Sequence, residues 1–165
     1  MIQDMILTDS ILFDPKPIAV PYNYRISYKI PQILMILSKC CSKRSGCSLI
    51  KLQMIATALS NDKDIKELID YTLKKNDMLP VVRFDPSVNK ALRYALAENL
   101  VVQQKNEKYK LSDLGRRYVS AIEEDDKLMR REKEYLTKLG INITEDTIEE
   151  LMSKWRYQNA TNQPN

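Results

Sequence analysis

The chain has 165 residues, of which 44% are hydrophobic and 29% charged, with a net charge of +4, three glycines and no histidine. This length fits one ordinary domain with a hydrophobic core, and the scarcity of glycine favours a mostly helical chain. The lack of histidine excludes catalytic triads that use it as the base, and the small positive charge excludes a protein that coats DNA.

Residues 1–30 are predicted to form an extended N-terminal arm. Pro15 and Pro17 lack a backbone donor and favour extended geometry in the residues before them. The arm contains aromatic residues, unlike a disordered tail, and we expect it to dock on this domain or on a partner through Phe13, Tyr22 and Tyr24. Its acidic start does not resemble a signal peptide, and no apolar run reaches about 18 residues. We therefore expect a cytoplasmic protein without membrane contact.

Residues 31–111 have the order of elements that is typical of a winged helix-turn-helix domain. Apolar residues at steps of three and four predict a helix that begins at Pro31 and ends before Gly46. Two further helices are predicted after Ser48 and Asn61, because the side chains of these two residues can cap a helix.

The second half of this domain is predicted to contain a short strand, a helix and a β-hairpin. Residues 81–84 lie between two prolines and include β-branched residues, which indicates a strand or an extended edge. Asp85 and Pro86 then provide the cap and the first position of a helix over 86–99. A hairpin, the wing, is predicted over 100–111 around the polar turn KNEK.

Residues 112–157 are predicted to form a C-terminal helical region. Ser112 caps a helix over 113–139, which is either continuous or divided at the acidic run EEDD. Gly115 is costly inside a helix and is predicted to mark close packing against the hairpin. Residues at alternating steps of three and four predict a seam along this helix. The seam contains Leu111, Leu114, Tyr118, Ala121, Asp125, Leu128, Glu132, Tyr135 and Leu139.

The chain is predicted to end in one more helix and a frayed tail over 158–165. Gly140 ends the long helix, and Thr144 caps the last one. The apolar face of this last helix contains Ile148, Leu151, Met152 and Trp155. The predicted fold is therefore mainly α with a small β-hairpin: a winged helix-turn-helix core with C-terminal helices and an extended arm.

The sequence predicts no cofactor, no metal site and no enzyme activity. Its three glycines are far apart, which excludes dinucleotide-binding and Walker loops. Cys40, Cys41 and Cys47 lack the spacing and the fourth ligand of a zinc site, and we expect buried thiols instead. Asp62 and Asp64 allow a metal-dependent nuclease as a weaker hypothesis, but the helix dipole also favours acids in a first helical turn.

Two exposed basic surfaces are candidates for contact with DNA or with a partner protein. The helix over 86–99 turns Lys90, Arg93 and Tyr94 away from its apolar face, where a DNA-reading helix contacts bases and phosphates. The wing offers three candidate phosphate contacts, Lys105, Lys108 and Lys110. Lysines also protect an exposed strand edge from pairing with other chains, and an exposed tyrosine suits a protein interface equally well.

Four segments carry a family resemblance: PYNYRISYKIPQILMIL, RFDPSVNKALRYALAENLV, KYKLSDLGRRYVSAI and KEYLTKLGINIT. They resemble the middle component of ABC-three-component systems, the bacterial defence modules that include the Lamassu type. The resemblance implies a small non-catalytic subunit that works with an SMC-like coiled-coil ATPase and a separate effector, often a nuclease, against phage or plasmid DNA. This accessory role, with DNA contacted through the complex, is the leading hypothesis. The alternative is an autonomous winged-helix transcriptional regulator.

Overall fold

The computed structural model describes residues 19–80 and 83–161. In this part of the chain the predicted fold class is confirmed, because seven α-helices accompany a single two-stranded hairpin. The elements are α1 (Ile26–Lys39), α2 (Leu49–Ala58), α3 (Asp62–Thr72), α4 (Pro86–Ala97), β1 (Val101–Gln103), β2 (Tyr109–Leu111), α5 (Asp113–Glu124), α6 (Arg130–Leu139) and α7 (Glu145–Thr161).

Helix α1 is the centre of the fold. It packs against α2, α4, α5 and α6, and four consecutive side chains from Ile33 to Ile36 are fully buried. A helix that is apolar on all sides must be covered on all sides. The four surrounding helices therefore build their shared core on α1.

The predicted arm is shorter in the structure than in the sequence analysis. Helix α1 begins at Ile26 rather than at Pro31, and a short 3₁₀ turn, Tyr22–Tyr24, precedes it. Pro31 lies in the second turn of α1, where its missing N–H removes one helical hydrogen bond. The helix tolerates this loss because Lys29, Gln32 and the residues that follow are buried against neighbouring helices. Phe13, Pro15 and Pro17 lie outside the described residues.

The wing is a small antiparallel sheet directly after α4. Val101 pairs with Leu111 and Gln103 with Tyr109. Cys47 adds a third short edge, since its N–H donates to the Tyr109 carbonyl at 2.8 Å and its carbonyl accepts from the Tyr109 N–H at 2.9 Å. A segment between the first two helices that joins the hairpin is the arrangement expected of a winged helix. Of the strand or extended edge predicted over 81–84, Arg83 and Phe84 are not part of a strand, and residues 81–82 lie outside the described part.

Gly115 brings α5 into close contact with the wing, as predicted. A Cβ atom at this position would lie 2.0 Å from the carbonyl oxygen of Leu100 and 3.2 Å from a methyl group of Leu111. Any larger residue would force the helix away from the hairpin. Glycine destabilises a helix by about 1 kcal/mol relative to alanine, and the close packing against the hairpin offsets this cost.

The predicted long helix is two helices, which was one of the two alternatives. Helix α5 ends at Glu124, and Met129 adopts a left-handed conformation with φ of 50° before α6 begins. In α5 the predicted seam lies on the surface rather than in the core, because Leu114 and Tyr118 are exposed while Val119 and Ile122 are buried. Both sides of α5 carry apolar residues at helical spacing, so periodicity alone could not identify the side that packs on α1.

The ends of the helices follow the predicted caps. The side-chain oxygens of Ser48, Asn61, Asp85 and Ser112 accept backbone N–H groups at the start of α2, α3, α4 and α5. Thr144 does the same for Thr147 in α7 at 3.1 Å. Helix α7 continues to Thr161, so residues 158–161 are helical rather than frayed. None of the helices in the described ranges combines the length and hydropathy that a membrane span requires.

Candidate binding surfaces

A buried ion pair fixes the position of α4. The Lys29 Nζ lies 2.9 Å from the Asp85 carboxylate, and neither side chain is more than a tenth exposed. Gln53 of α2 accepts from the Asp85 N–H at 3.1 Å and donates to Asn89 at 2.9 Å. Helices α1, α2 and α4 therefore meet in one polar network, which orients the outer face of α4.

The network also sets the charge state of Asp85. Burial raises the pKa of its carboxyl group, but hydrogen bonds from Ser87 and the ion pair with Lys29 outweigh this effect, so the pKa is lowered overall. Asp85 is consequently an anion that caps α4 and neutralises a fully buried lysine.

The outer face of α4 carries the predicted candidates in exposed positions. Lys90, Arg93 and Tyr94 all lie on the solvent side, while Ala91 and Ala95 of the same helix are fully buried. Glu98 is exposed one turn beyond Tyr94. The predicted orientation of this face is confirmed, and its role as a contact for DNA or protein stays a prediction.

The three wing lysines have different surroundings. Lys105 is exposed in the turn of the hairpin. Lys110 lines a groove of about 470 Å³ together with Arg116 of α5, whereas Lys108 lines another groove beside Arg156 of α7. The role of these lysines as one set of phosphate contacts stays a prediction.

A second basic segment, missed by the sequence analysis, lies beside the turn of the wing. Lys43 and Arg44 are exposed in the loop between α1 and α2. Gln104 donates to the Arg44 carbonyl at 3.1 Å, and Asn106 donates to the Ser45 carbonyl at 3.4 Å. These contacts place the backbone of Arg44 and Ser45 next to the turn that carries Lys105, and the preceding Lys43 lines the groove that also contains Lys110 and Glu123. About 60 residues separate the two segments in sequence, so no local motif could reveal the pairing.

Gly46 allows the loop to approach the wing this closely. Its φ is +74°, and a Cβ atom there would lie 2.7 Å from the Tyr109 carbonyl oxygen and 2.5 Å from the side-chain oxygen of Gln104. Two properties of glycine are thus needed together, a left-handed backbone and the absence of a side chain.

The outer side of α5 carries an exposed apolar stripe, defined here as Leu114, Tyr118 and Ala121. Leu114 is 42% and Tyr118 47% exposed. The spacing of four and then three residues places all three on one strip of the helix, next to the face that buries Val119 and Ile122 in the core. Helix α5 therefore has one apolar face inside the protein and another that remains in solvent.

The described aromatic residues of the arm lie at the start of α1. The ring of Tyr22 contacts that of Tyr28 edge-on, with centroids 5.1 Å apart. Tyr24 is half exposed and lines a depression with Phe84, which is 65% exposed. Tyr22 thus packs partly on its own domain, and Tyr24 with Phe84 leaves an aromatic surface in solvent.

The cysteines and the two candidate nuclease acids have structural surroundings. All three cysteines are free and buried, as predicted, and burial raises the pKa of the Cys40 thiol to about 12. The hydrogen bond from Arg131 to Asp62, at 2.8 Å, lowers the pKa of Asp62, and Asp64 accepts from Asn61 at 2.7 Å. Across residues 19–80 and 83–161, no three Cys, Asp or Glu side chains converge on a position for a metal ion.

No protein-family model, curated protein sequence or solved structure matches this chain.

Proposed function

We propose that this protein is a non-catalytic accessory subunit that docks on a helix of an SMC-like coiled-coil ATPase in an anti-phage or anti-plasmid complex with a separate effector nuclease. The apolar stripe on α5 is the observation that carries the proposal. Its residues at i, i+4 and i+7 present the ridge that packs against another helix, and large apolar side chains grouped on one exposed face are typical of interaction sites.

The resemblance to the middle component of ABC-three-component systems supplies the nature of the partner. A coiled coil offers a long helical surface that an exposed helix can pack against. Tyr118 at the centre of the stripe is the residue type that contributes strongly to interface affinity. The charged neighbours Arg117 and Asp113 would then form the polar rim of this contact.

Co-expression with any SMC-like coiled-coil ATPase that a neighbouring gene encodes tests the proposal. We expect the two chains to co-purify, and we expect the double variant Leu114→Glu with Tyr118→Glu to abolish the interaction. The matched control, Ile141→Glu with Tyr157→Glu, replaces two other exposed apolar residues and should leave the complex intact. Failure of the unmodified chains to co-purify would exclude the accessory role.

A second candidate function is sequence-specific DNA binding by an autonomous transcriptional regulator. It is favoured by one observation, the exposure of Lys90 and Arg93 on the helix that directly precedes the wing. Arg93 would contact base edges and Lys90 a phosphate group.

A selection of bound sequences from a random duplex library distinguishes this regulator from the accessory subunit. A regulator enriches a defined motif, and Arg93→Ala relaxes the preference at one base position by about 1–3 kcal/mol. The accessory subunit enriches no motif, whatever its affinity for DNA in general.

A further inference from the structure

We propose that Lys43, Arg44 and Lys105 form one binding surface, called here the basic tip, for the phosphate backbone of duplex DNA. The surface joins the loop between α1 and α2 to the turn of the wing. Binding to it depends on charge and on the spacing of phosphates, and not on the base sequence. This site is independent of the helix-docking role of α5 proposed above.

The two segments that carry this surface have an excess of positive charge, and two of their five basic residues, Lys108 and Lys110, line separate grooves beyond the basic tip. Segments 42–47 and 103–110 contain five basic residues and one acid. Their combined net charge of +4 equals the net charge of the whole chain. The remaining residues therefore contain as many acidic as basic side chains. A local excess of positive charge on an otherwise balanced protein directs a polyanion to that location.

The cations of the basic tip are free to meet a ligand. No ion pair within the described residues involves Lys43, Arg44 or Lys105. Three lysines elsewhere are different, since Lys63, Lys138 and Lys154 each pair with a glutamate one helical turn away. A phosphate at the basic tip thus does not need to displace an existing carboxylate partner.

The backbone that carries these cations is held in place. Ser42 accepts from the N–H groups of Arg44 and Ser45 at 3.2 Å each, and the Gly46 N–H donates to the Ser42 carbonyl at 3.0 Å. The paired hydrogen bonds between Cys47 and Tyr109 attach this turn to the wing. The two segments form one preorganised unit, which reduces the entropy lost when a ligand binds.

The composition of the surface favours nucleic acid over an acidic protein. Neither of the described segments 42–47 and 104–108 contributes a large exposed apolar side chain. Protein interfaces are enriched in aromatic residues and depleted in lysine at their centre, whereas lysine, arginine and serine hydroxyl groups are common phosphate contacts. Ser45 lies between Arg44 and Gly46 and provides such a hydroxyl group in an exposed position.

Fluorescence anisotropy with a labelled duplex of about two helical turns tests the inference on the full chain. We expect binding that weakens with added salt, with a log–log slope of about −2.7 for three neutralised phosphates. The triple variant Lys43→Gln, Arg44→Gln, Lys105→Gln should lose at least about tenfold in affinity and most of that slope. Glu107→Gln, which removes the acid of the turn, should strengthen binding.

A second triple variant with the same change in net charge is the matched control. Lys63→Gln, Lys138→Gln, Lys154→Gln removes three exposed cations that lie on α3, α6 and α7. It should bind DNA as the unmodified chain does. Equal losses in the two triple variants would show an effect of net charge alone and would overturn the site, as would an absence of binding by the unmodified chain at low salt.

Two further outcomes distinguish this inference from general binding of acidic polymers and from the proposed accessory role. Poly-glutamate that competes as well as DNA of equal charge would overturn it, because the surface would then recognise carboxylates as readily as phosphates. A chain that co-purifies with the ATPase but does not bind duplex DNA refutes the basic tip and leaves the proposed accessory role intact. Circular dichroism of each variant confirms that it is folded.

Discussion

Two groups of basic residues in this protein have opposite surroundings. Lys29 and Arg131 lie at contacts between helices, and each is paired with an acid from a distant part of the chain, Asp85 and Asp62 respectively. The cations of the basic tip lie on the surface, and no acid among the described residues pairs with them. Both groups contain lysine and arginine, so the residue type does not determine whether a cation here has a structural role. The presence of an acidic partner does.

The paired group holds the helices together. Arg131 of α6 donates to Asp62 of α3 at 2.8 Å, to the Leu59 carbonyl at 2.8 Å and to Glu132 at 3.0 Å. The Tyr28 hydroxyl of α1 also donates to Glu132. Burial and this hydrogen bond both raise the pKa of Tyr28, so its hydroxyl remains a donor at all ordinary pH values.

The largest effect is expected from breaking the fully buried pair. Lys29→Met leaves the Asp85 carboxylate without its cation, and removing one partner of such a pair costs about 3–5 kcal/mol. The free energy of unfolding, measured by urea denaturation at neutral pH, should fall by about 4 kcal/mol.

The double variant Lys29→Met with Asp85→Asn is the control for this prediction. It removes both charges and retains a side-chain oxygen that can cap α4, so it should recover a large part of the lost free energy. If Lys29→Met alone lowers the free energy of unfolding by less than about 1 kcal/mol, the pair is not essential for packing α4 on α1.

The next largest effect is expected from Gly46→Ala, which changes the geometry of the basic tip without changing its charge. Gly46→Ala requires a left-handed alanine and brings Cβ to 2.7 Å from the Tyr109 carbonyl oxygen. We expect a loss of about 3 kcal/mol, because backbone strain and a clash with fixed backbone combine. Affinity for duplex DNA should fall as well, since the loop that carries Lys43 and Arg44 must move.

Gly140→Ala is the matched control for Gly46→Ala. Gly140 also has a positive φ, of +52°, but the nearest atom to a Cβ there would be 3.9 Å away. Only the backbone strain of about 1–3 kcal/mol is expected, without a steric clash, and DNA affinity should not change. Equal effects of the two substitutions on stability and affinity would contradict the specific contact between loop and wing.

The sequence could predict features that depend on neighbouring residues, and it missed those that depend on distant ones. Asp85 and Ser112 were identified as caps because a cap needs one side chain and the N–H groups just after it. Gly115 was identified because a glycine inside a helix is costly unless packing requires it. The position of Arg44 beside the wing depends on hydrogen bonds between segments far apart in sequence, so it could not be predicted.

The seam of α5 shows a different limit. Leu114 and Tyr118 lie on a face next to that of Val119 and Ile122, and both pairs have equally good helical spacing. The choice between the two sides is made by tertiary contacts, above all by Gly115, which sets the side that faces the hairpin. A helix with two apolar faces gives an ambiguous pattern, and the same property makes its outer face a candidate interface.

A smaller effect is expected from the paired arginine at the helix contact. Arg131→Met removes hydrogen bonds to Asp62 and to the Leu59 carbonyl and leaves the buried Glu132 without a cation. Because Arg131 is partly exposed, we expect a loss of about 2 kcal/mol in the free energy of unfolding. The neighbouring exposed Arg130→Met should change stability by less than about 0.5 kcal/mol and is the control.

Acidification should weaken the Lys29–Asp85 pair selectively. Since the pKa of Asp85 is lowered in the folded protein, its contribution to stability is present above the ordinary pKa of about 3.9 and is lost as pH falls through the folded value. The difference in unfolding free energy between the unmodified chain and Lys29→Met should therefore narrow from pH 5 to about pH 2. A constant difference over this range would show that Asp85 does not titrate with the pair.

The smallest effect on stability is expected at the basic tip, because its three cations have no acidic partner in the described part of the chain and should have no structural role. The triple variant Lys43→Gln, Arg44→Gln, Lys105→Gln removes three exposed side chains that have no acidic partner, so its free energy of unfolding should stay within about 0.5 kcal/mol of the unmodified value. Removing like charges that lie close together relieves repulsion and favours a small gain over a loss. Urea denaturation at low salt measures this change in the free energy of unfolding.

A loss of 2 kcal/mol or more, as large as that expected for Arg131→Met, would mean that these cations stabilise the wing. Stability that is retained while DNA affinity is lost would instead separate binding from folding at these three residues.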